Sequence, residues 1–141
     1  EYRRVERWVR EAYKAKPKSG WQLYGAGSVG SQSLLGIPTV HALGQSLPNS
    51  KIWPFETGFG PMDAESLEGT DVVFAEVYPS LIEAKPRTGE VLDQAQVEAM
   101  ARHYYSLDEA GRLGALFGLP EGLSGDEIAQ IEGEEGWILL K

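Results

Sequence analysis

Three carboxylates stand where acid chemistry can be built. Glu76 closes the apolar run Val72, Val73, Phe74, Ala75, so it falls at a strand end, where ligand sites of α/β sheets gather. Asp93 opens the stretch QAQVEAM and so heads a helix, and Glu56 sits in WPFET. Brought together, Glu76 and Asp93 can share a hard cation such as Mg²⁺ or Mn²⁺, which prefers carboxylate and water oxygens. A cation so held activates water and neutralises a leaving oxygen, the chemistry of phosphodiester hydrolysis. Glu56 is the weaker third candidate. Each acid also has a plainer reading: Glu76 as a solvated strand-end carboxylate, Asp93 as a helix N-cap. Sharing one ion requires the Glu76 and Asp93 carboxylates to approach within roughly 4–5 Å.

The second candidate is a glycine loop, QLYGAGSVGSQSLLG, which contains a match to G-x-G-x-x-G at Gly25, Gly27 and Gly30. A dinucleotide fingerprint needs a buried strand before it, a useful helix after it, and an acid about 20 residues on. WQLY is short and polar in part, Gly36 and Pro38 interrupt any helix after Gly30, and no Asp or Glu lies between Glu11 and Glu56. The dinucleotide reading fails. Two uses remain open and are equally weighted. Gly25, Gly27 and Gly30, with Ser28 and Ser31 as caps and Lys18 upstream, can hold a phosphate or sulfate on backbone amides. Alternatively, the loop passes close to another stretch of backbone. Trp21, Tyr24 and Gln32 can pack against a base or sugar, although aromatics at such spacing more often fill a core.

Other residues offer less. There are no cysteines, which excludes disulfides, thiolate nucleophiles and thiolate-bound zinc. His103 falls on the apolar side of its helix and reads as a packed histidine; His41 is the only other one. Ser80 lacks the glycines of a nucleophile elbow. Glu134 and Glu135 read as an acidic turn.

The elements that position these groups follow from periodicity. Val5, Trp8, Val9, Ala12 and Tyr13 form one helical stripe, ended by Pro17 and Gly20. Residues 19–50 are rich in Gly, Ser and Pro and predict only short helices, about 31–35 and 40–43. Residues 51–59 read as a strand in their first half, with Pro54 favouring an edge. The run 71–80 predicts a strand covered on both faces. A helix spans 91–106, with Leu92, Ala95, Ala99, Met100 and His103 on one side, and a second helical piece runs from Leu107 to Phe117. Ser124 and Glu127 make a capping box for a helix through Ile131 that Gly133 ends, and GWILL closes as a short strand or apolar tail. The order strand, helix, helix, strand predicts an α/β fold with a mixed sheet flanked by helices. The 141 residues suit one domain.

Charge is polarised. Residues 1–55 hold eight Lys/Arg against three Glu, a net of +5; residues 56–141 hold five basic and eighteen acidic residues, a net of −13. The basic head can meet an anionic ligand, nucleic acid or the acidic half of its own chain, and the plainest outcome is a solvated helix face. The total of −8 argues against tight nucleic-acid binding, which rests on phosphate contacts. No apolar run approaches membrane-spanning length and no signal peptide opens the chain, so a cytoplasmic location and no membrane partner are expected.

Several stretches in order, KPKSGWQLYGAGSVGSQSLLGIP, IWPFETG, FAEVYPSL, LDQAQVEAM and EEGWIL, resemble a bacterial family of uncharacterised proteins classed as predicted ribonuclease H-like nucleases. The resemblance runs from about Lys16 to Leu139. It implies a ribonuclease H-like fold and a metal-dependent hydrolase in which Glu76 and Asp93 match the family's acids around two Mg²⁺ or Mn²⁺ ions. The chain departs from the pattern in its first 55 residues, which lack an aspartate, and in the absence of the family's opening strands. On that reading this single domain is incomplete, is weak or inert as a nuclease, and has a sheet edge open to a second copy. Two rival functions stand beside it: a non-catalytic domain that binds an anionic small molecule or a protein partner, and a small-molecule enzyme using the same acids.

Overall fold

The computed structural model describes residues 1–140. Helix α1 (Arg4–Ala12) forms where the stripe predicts, with Val5 and Val9 fully buried. It ends earlier than Pro17 and Gly20 suggest: the Tyr13 amide closes the last turn on the Val9 carbonyl, and Lys14 turns the chain out with φ 54°. Pro17 cannot donate a helical hydrogen bond and disfavours helix at the residue before it, so the exit must precede it.

The largest departure is α2, one continuous helix over Gly30–Ser46 that runs through Gly36 and Pro38 where two short pieces are expected. Proline removes the donor that would serve the Leu34 carbonyl. Leu34 is well exposed, so water can satisfy that carbonyl, and the break that a buried site would force does not occur.

Strand β1 (Ser50–Ile52) pairs in parallel with β2 (Val72–Phe74), and β3 (Glu76–Val77) pairs in parallel with β4 (Ile138–Leu139). Only Ala75 separates β2 from β3, so one extended stretch serves both ladders in turn. The chain is thus α/β in character. The mixed sheet expected is represented among the described residues by parallel pairs alone. The 72–77 stretch is half-buried to exposed rather than covered on both faces, because each part of it has one strand neighbour.

The core is instead centred on the chain's end. Trp137, Ile138 and Leu139 are almost fully buried, joined by Val5, Val9, Trp53, Leu81, Phe117 and Ile131. Edge-on aromatic contacts run through it: Trp53 lies 5.4 Å from Phe117 and 5.5 Å from Phe59, Phe59 lies 6.0 Å from Trp137, and Trp137 lies 6.2 Å from Trp8. Such pairs favour T-shaped geometry because ring edges are positive and faces negative. They tie α1, the 53–59 turn, the Leu113–Phe117 3₁₀ turn and β4 into one unit.

Helix α3 (Leu92–Glu109) buries Ala95 and Met100, while Leu92 at its start stays half exposed. It extends slightly beyond the expected end, and Gly111 (φ 64°) turns the chain into the 3₁₀ piece. Helix α4 (Gly125–Gln130) starts at the predicted capping box: the Glu127 amide donates to Ser124 Oγ at 3.3 Å and the Ser124 amide to Glu127 Oε2 at 2.9 Å. Gly133 does not end it. A π turn (Ile131–Glu135) carries the chain on to Gly136 (φ 68°), whose amide closes on the Ile131 carbonyl.

Tyr104 fastens α3 to β4 by donating its hydroxyl to the Leu139 carbonyl at 2.6 Å. Burial, assisted by nearby Tyr13, pushes this phenol from 10.0 up to about 12. A raised pKa means that its contribution to stability is complete below pH 10.0 and is lost as pH climbs towards about 12. Urea unfolding across that window is expected to show stability falling in the wild type, with a smaller fall in Tyr104→Phe. At neutral pH the variant is expected to be about 1 kcal/mol less stable, because the Leu139 carbonyl loses its donor. Equal alkaline slopes in the two proteins would contradict this.

Candidate functional site

The acid that the sequence points to most strongly is held by a residue that it does not single out. Arg3, just ahead of α1, lays its guanidinium across Glu76, with Nη1 to Oε2 and Nη2 to Oε1 both at 2.8 Å. This two-pronged geometry matches the planar fork of guanidinium to the two oxygens of a carboxylate. Arg3 Nε donates to Glu6 Oε1 at 2.9 Å, and Nη1 also reaches the Glu135 carbonyl at 3.2 Å.

Glu6 is 1% exposed, and its carboxylate accepts the Arg3 and Gly20 amides at 2.9 and 2.8 Å as well. A buried carboxylate with this set of partners is fully satisfied; without the cation it would be a costly isolated charge. The Arg3 pKa is raised: burial works against the charged form, and the hydrogen bonds and charges of Glu76 and Glu6 outweigh it. Next to it, Arg4 donates its amide to Glu135 Oε2 at 2.7 Å and its guanidinium to Glu127 and Gln130. Two successive arginines therefore clamp the start of α1 to β3, to α4 and to the π turn before β4.

The three candidate acids lie in three separate parts of the fold, and among the described residues none shares a hydrogen-bond partner with another. Glu76 heads β3, paired with Arg3. Asp93 is exposed in the first turn of α3. The cap position there falls to Val91, so Asp93 is not the N-cap; it faces the positive end of the helix dipole instead. Glu56 follows β1 and accepts the Ile52 amide at 2.6 Å. The Trp53 amide points to Phe74 in β2, so the Ile52 amide one residue earlier points to the outer edge, which Glu56 covers. The Ser50 amide is likewise taken, by the Leu47 carbonyl.

A divalent ion needs several converging oxygens. Among the described residues no three His, Asp or Glu side chains converge in that way. The oxygens that do converge at Glu76, from Glu6, Glu76 and the Glu135 carbonyl, surround the Arg3 guanidinium. As arranged, these residues fit an arginine and not a metal ion.

In the glycine loop, Gly25 (φ 109°) and Gly27 (φ 71°) take the left-handed conformations expected of them. Two of the amides expected to face an anion are used internally: Ser28 donates to the Gly25 carbonyl at 3.1 Å and Gly30 to the Gln22 carbonyl at 2.9 Å. A Cβ at Gly30 would lie 2.6 Å from that Gln22 oxygen, so a close backbone approach is what requires glycine there. Ser28 and Ser31 do not cap α2; Val29 holds the cap position with no side-chain bond. Lys18 is exposed and lies beside Gly27. Trp21 and Tyr24, 58% and 93% exposed, do not join the core. His103 is half-buried with its ring 5.7 Å from Tyr104.

Shallow depressions mark the surface of the described residues. One, of about 140 Å³, is lined by Lys51, Glu56, Thr57 and Ser66 among others, and one of about 230 Å³ is lined by Lys85, Arg87, Glu90, Glu98 and Arg102 among others. Both mix charges of opposite sign. No helix among the described residues is long and apolar enough to cross a membrane. Comparisons with protein-family models, curated proteins and solved structures found no match to this chain.

The Arg3–Glu6 pair predicts an asymmetry in stability. Arg3→Ala is expected to cost about 3–5 kcal/mol in urea unfolding, because Glu6 is left charged and buried. Arg3→Met combined with Glu6→Gln is expected to lose much less, since the glutamine side chain can still accept the Gly20 amide and no charge is stranded. A double variant that is less stable than Arg3→Ala would contradict this asymmetry.

Proposed function

We propose that this chain is a non-catalytic binding domain whose ligand is a protein partner, built on a scaffold of the ribonuclease H-like kind that its sequence resembles. The observation that carries the reading is the Arg3–Glu76 pair. Both oxygens of the acid best placed for metal chemistry are held by a guanidinium from the same chain, which is itself anchored by buried Glu6. The choice of a protein partner over an anionic small molecule rests on the glycine loop, where the Ser28 and Gly30 amides are used internally. The apolar side chains that face outward from α2 favour it too.

The second reading is a Mg²⁺- or Mn²⁺-dependent nuclease acting on phosphodiesters of nucleic acid. The position of Glu76, just past the carboxyl end of parallel β2, favours it. It requires Arg3 to release Glu76.

Calorimetric titration of Mg²⁺ and Mn²⁺ separates the two. The proteins needed are wild type, the Arg3→Met/Glu6→Gln double variant, and that double variant with Glu76→Gln or Asp93→Asn added. The binding-domain reading expects no specific divalent binding in any of them. Binding that appears when Arg3 is removed, and disappears again with either acid substitution, would establish the nuclease-type site and overturn the proposal.

A further inference from the structure

Helix α2 leaves large apolar side chains exposed on several of its sides. Its half-buried positions, Ser33, Gly36, Val40 and Gly44, are mostly small and recur at helical spacing; a Cβ at Gly44 would meet Ser50 Oγ at 3.8 Å, while one at Gly36 would meet nothing within 4 Å. The larger apolar side chains are well exposed: Leu34 is 64% exposed, Leu35 75% and Ile37 69%. A surface helix ordinarily shows the opposite polarity. An exposed apolar face of this kind marks an interaction surface.

The residues opposite the half-buried stripe are Ser31, Leu35, Pro38, Ala42 and Gln45, at successive spacings of four and three. That is the spacing of a helix–helix seam. Reversal about the Pro38–Thr39 bond exchanges the positions of Leu35 and Ala42. In an antiparallel pair Leu35 of one copy meets Ala42 of the other, large against small, and a two-fold axis makes the contact twice.

Charge selects the same occupant. From Ser19 to Ser50 there is no Asp, Glu, Lys or Arg, on a chain with net charge −8. Two copies that approach through their acidic surfaces repel; two that meet through α2 bring no like charges together. The helix also has no acid in its first turn and no base in its last, so both ends of its dipole lack a compensating side chain. Antiparallel pairing sets each positive N-terminal end beside a negative C-terminal end. The outer edge of β1, by contrast, has its Ser50 and Ile52 amides already bonded within the chain.

We infer that α2 is a self-association surface and that a second copy of this chain covers it as an antiparallel helix pair. The inference rests on the binding-domain reading and names the partner.

Sedimentation equilibrium tests it with wild type, Leu35→Lys, Ala42→Glu and an equimolar mixture of the two variants. Circular dichroism confirms that each stays folded, as expected for exposed positions. The wild type is expected to be a dimer, and each variant alone is expected to dissociate at least ~30-fold more readily. The mixture is expected to recover dimer, because the introduced lysine of one copy faces the introduced glutamate of the other. A wild type that is monomeric throughout overturns the inference, as does a dimer indifferent to both substitutions. A monomer that binds neutral phosphatidylcholine vesicles overturns it too and assigns the face to lipid. Failure here leaves the divalent titration untouched: a monomer that binds no metal sinks only the self-association, and a dimer that gains a metal site when Arg3 is removed sinks only the binding-domain reading.

Discussion

Glu6 carries a carboxylate to a position that is 1% exposed, and everything around the first turn of α1 is arranged to let it stay charged. Arg3 supplies the cation, and the Arg3 and Gly20 amides supply the remaining donors. Because one guanidinium cannot serve buried Glu6 without pointing its other edge somewhere, its remaining N–H groups reach Glu76 and the Glu135 carbonyl. The demand of one buried charge thus fixes where α1 sits relative to β3 and to the turn that feeds β4. Val5 and Val9 then fall onto the core, and Trp8 meets Trp137. Apolar burial gives most of the stabilisation and is non-directional; the arginine gives the direction.

That geometry decides the character of the candidate site. A strand-end carboxylate in an α/β protein is a natural ligand for a cation, and Glu76 has one within its own chain. The polarised charge of the sequence takes on a specific meaning as a result: part of the basic head is matched to the acidic half of the same polypeptide, with Arg3 on Glu76 and Arg4 on Glu127. The least charged part of the chain, from Ser19 to Ser50, is left to form the outward apolar surface.

Legibility followed the range of the interactions. Features set by neighbours in sequence were readable: the stripe of α1, the Ser124–Glu127 capping box, the β1 and β2 strands, and the left-handed glycines at 25 and 27. The pairing of Arg3 with Glu76 joins residues 73 apart in sequence, and periodicity carries no trace of it. The nearest signal was the spacing of Arg3 and Glu6 at the head of a helix, beside one option, ranked below a solvated helix face, that the basic head meets the acidic half of its own chain. The misreading of α2 has a different origin. Gly36 and Pro38 are helix breakers on average, but their cost depends on whether the freed carbonyl reaches water, which is a tertiary fact. GWILL read as a short strand or an apolar tail, and its Ile138–Leu139 pair forms β4; its deep burial, which so short a run cannot signal, comes from α1, the 53–59 turn and the 3₁₀ turn closing over it.

The central claim is that Arg3 takes the cation's place at Glu76, and paramagnetic Mn²⁺ added to isotope-labelled protein tests it most directly. Mn²⁺ broadens the resonances of nuclei close to where it binds. With Arg3 in place, the Arg3 side-chain N–H signals and the Glu76 and Val77 amides are predicted to keep their linewidths at Mn²⁺ concentrations that broaden other exposed carboxylates. Selective broadening centred on Glu76 and the first turn of α3, with loss of the Arg3 side-chain signals, would show that the metal displaces the arginine and would contradict the claim.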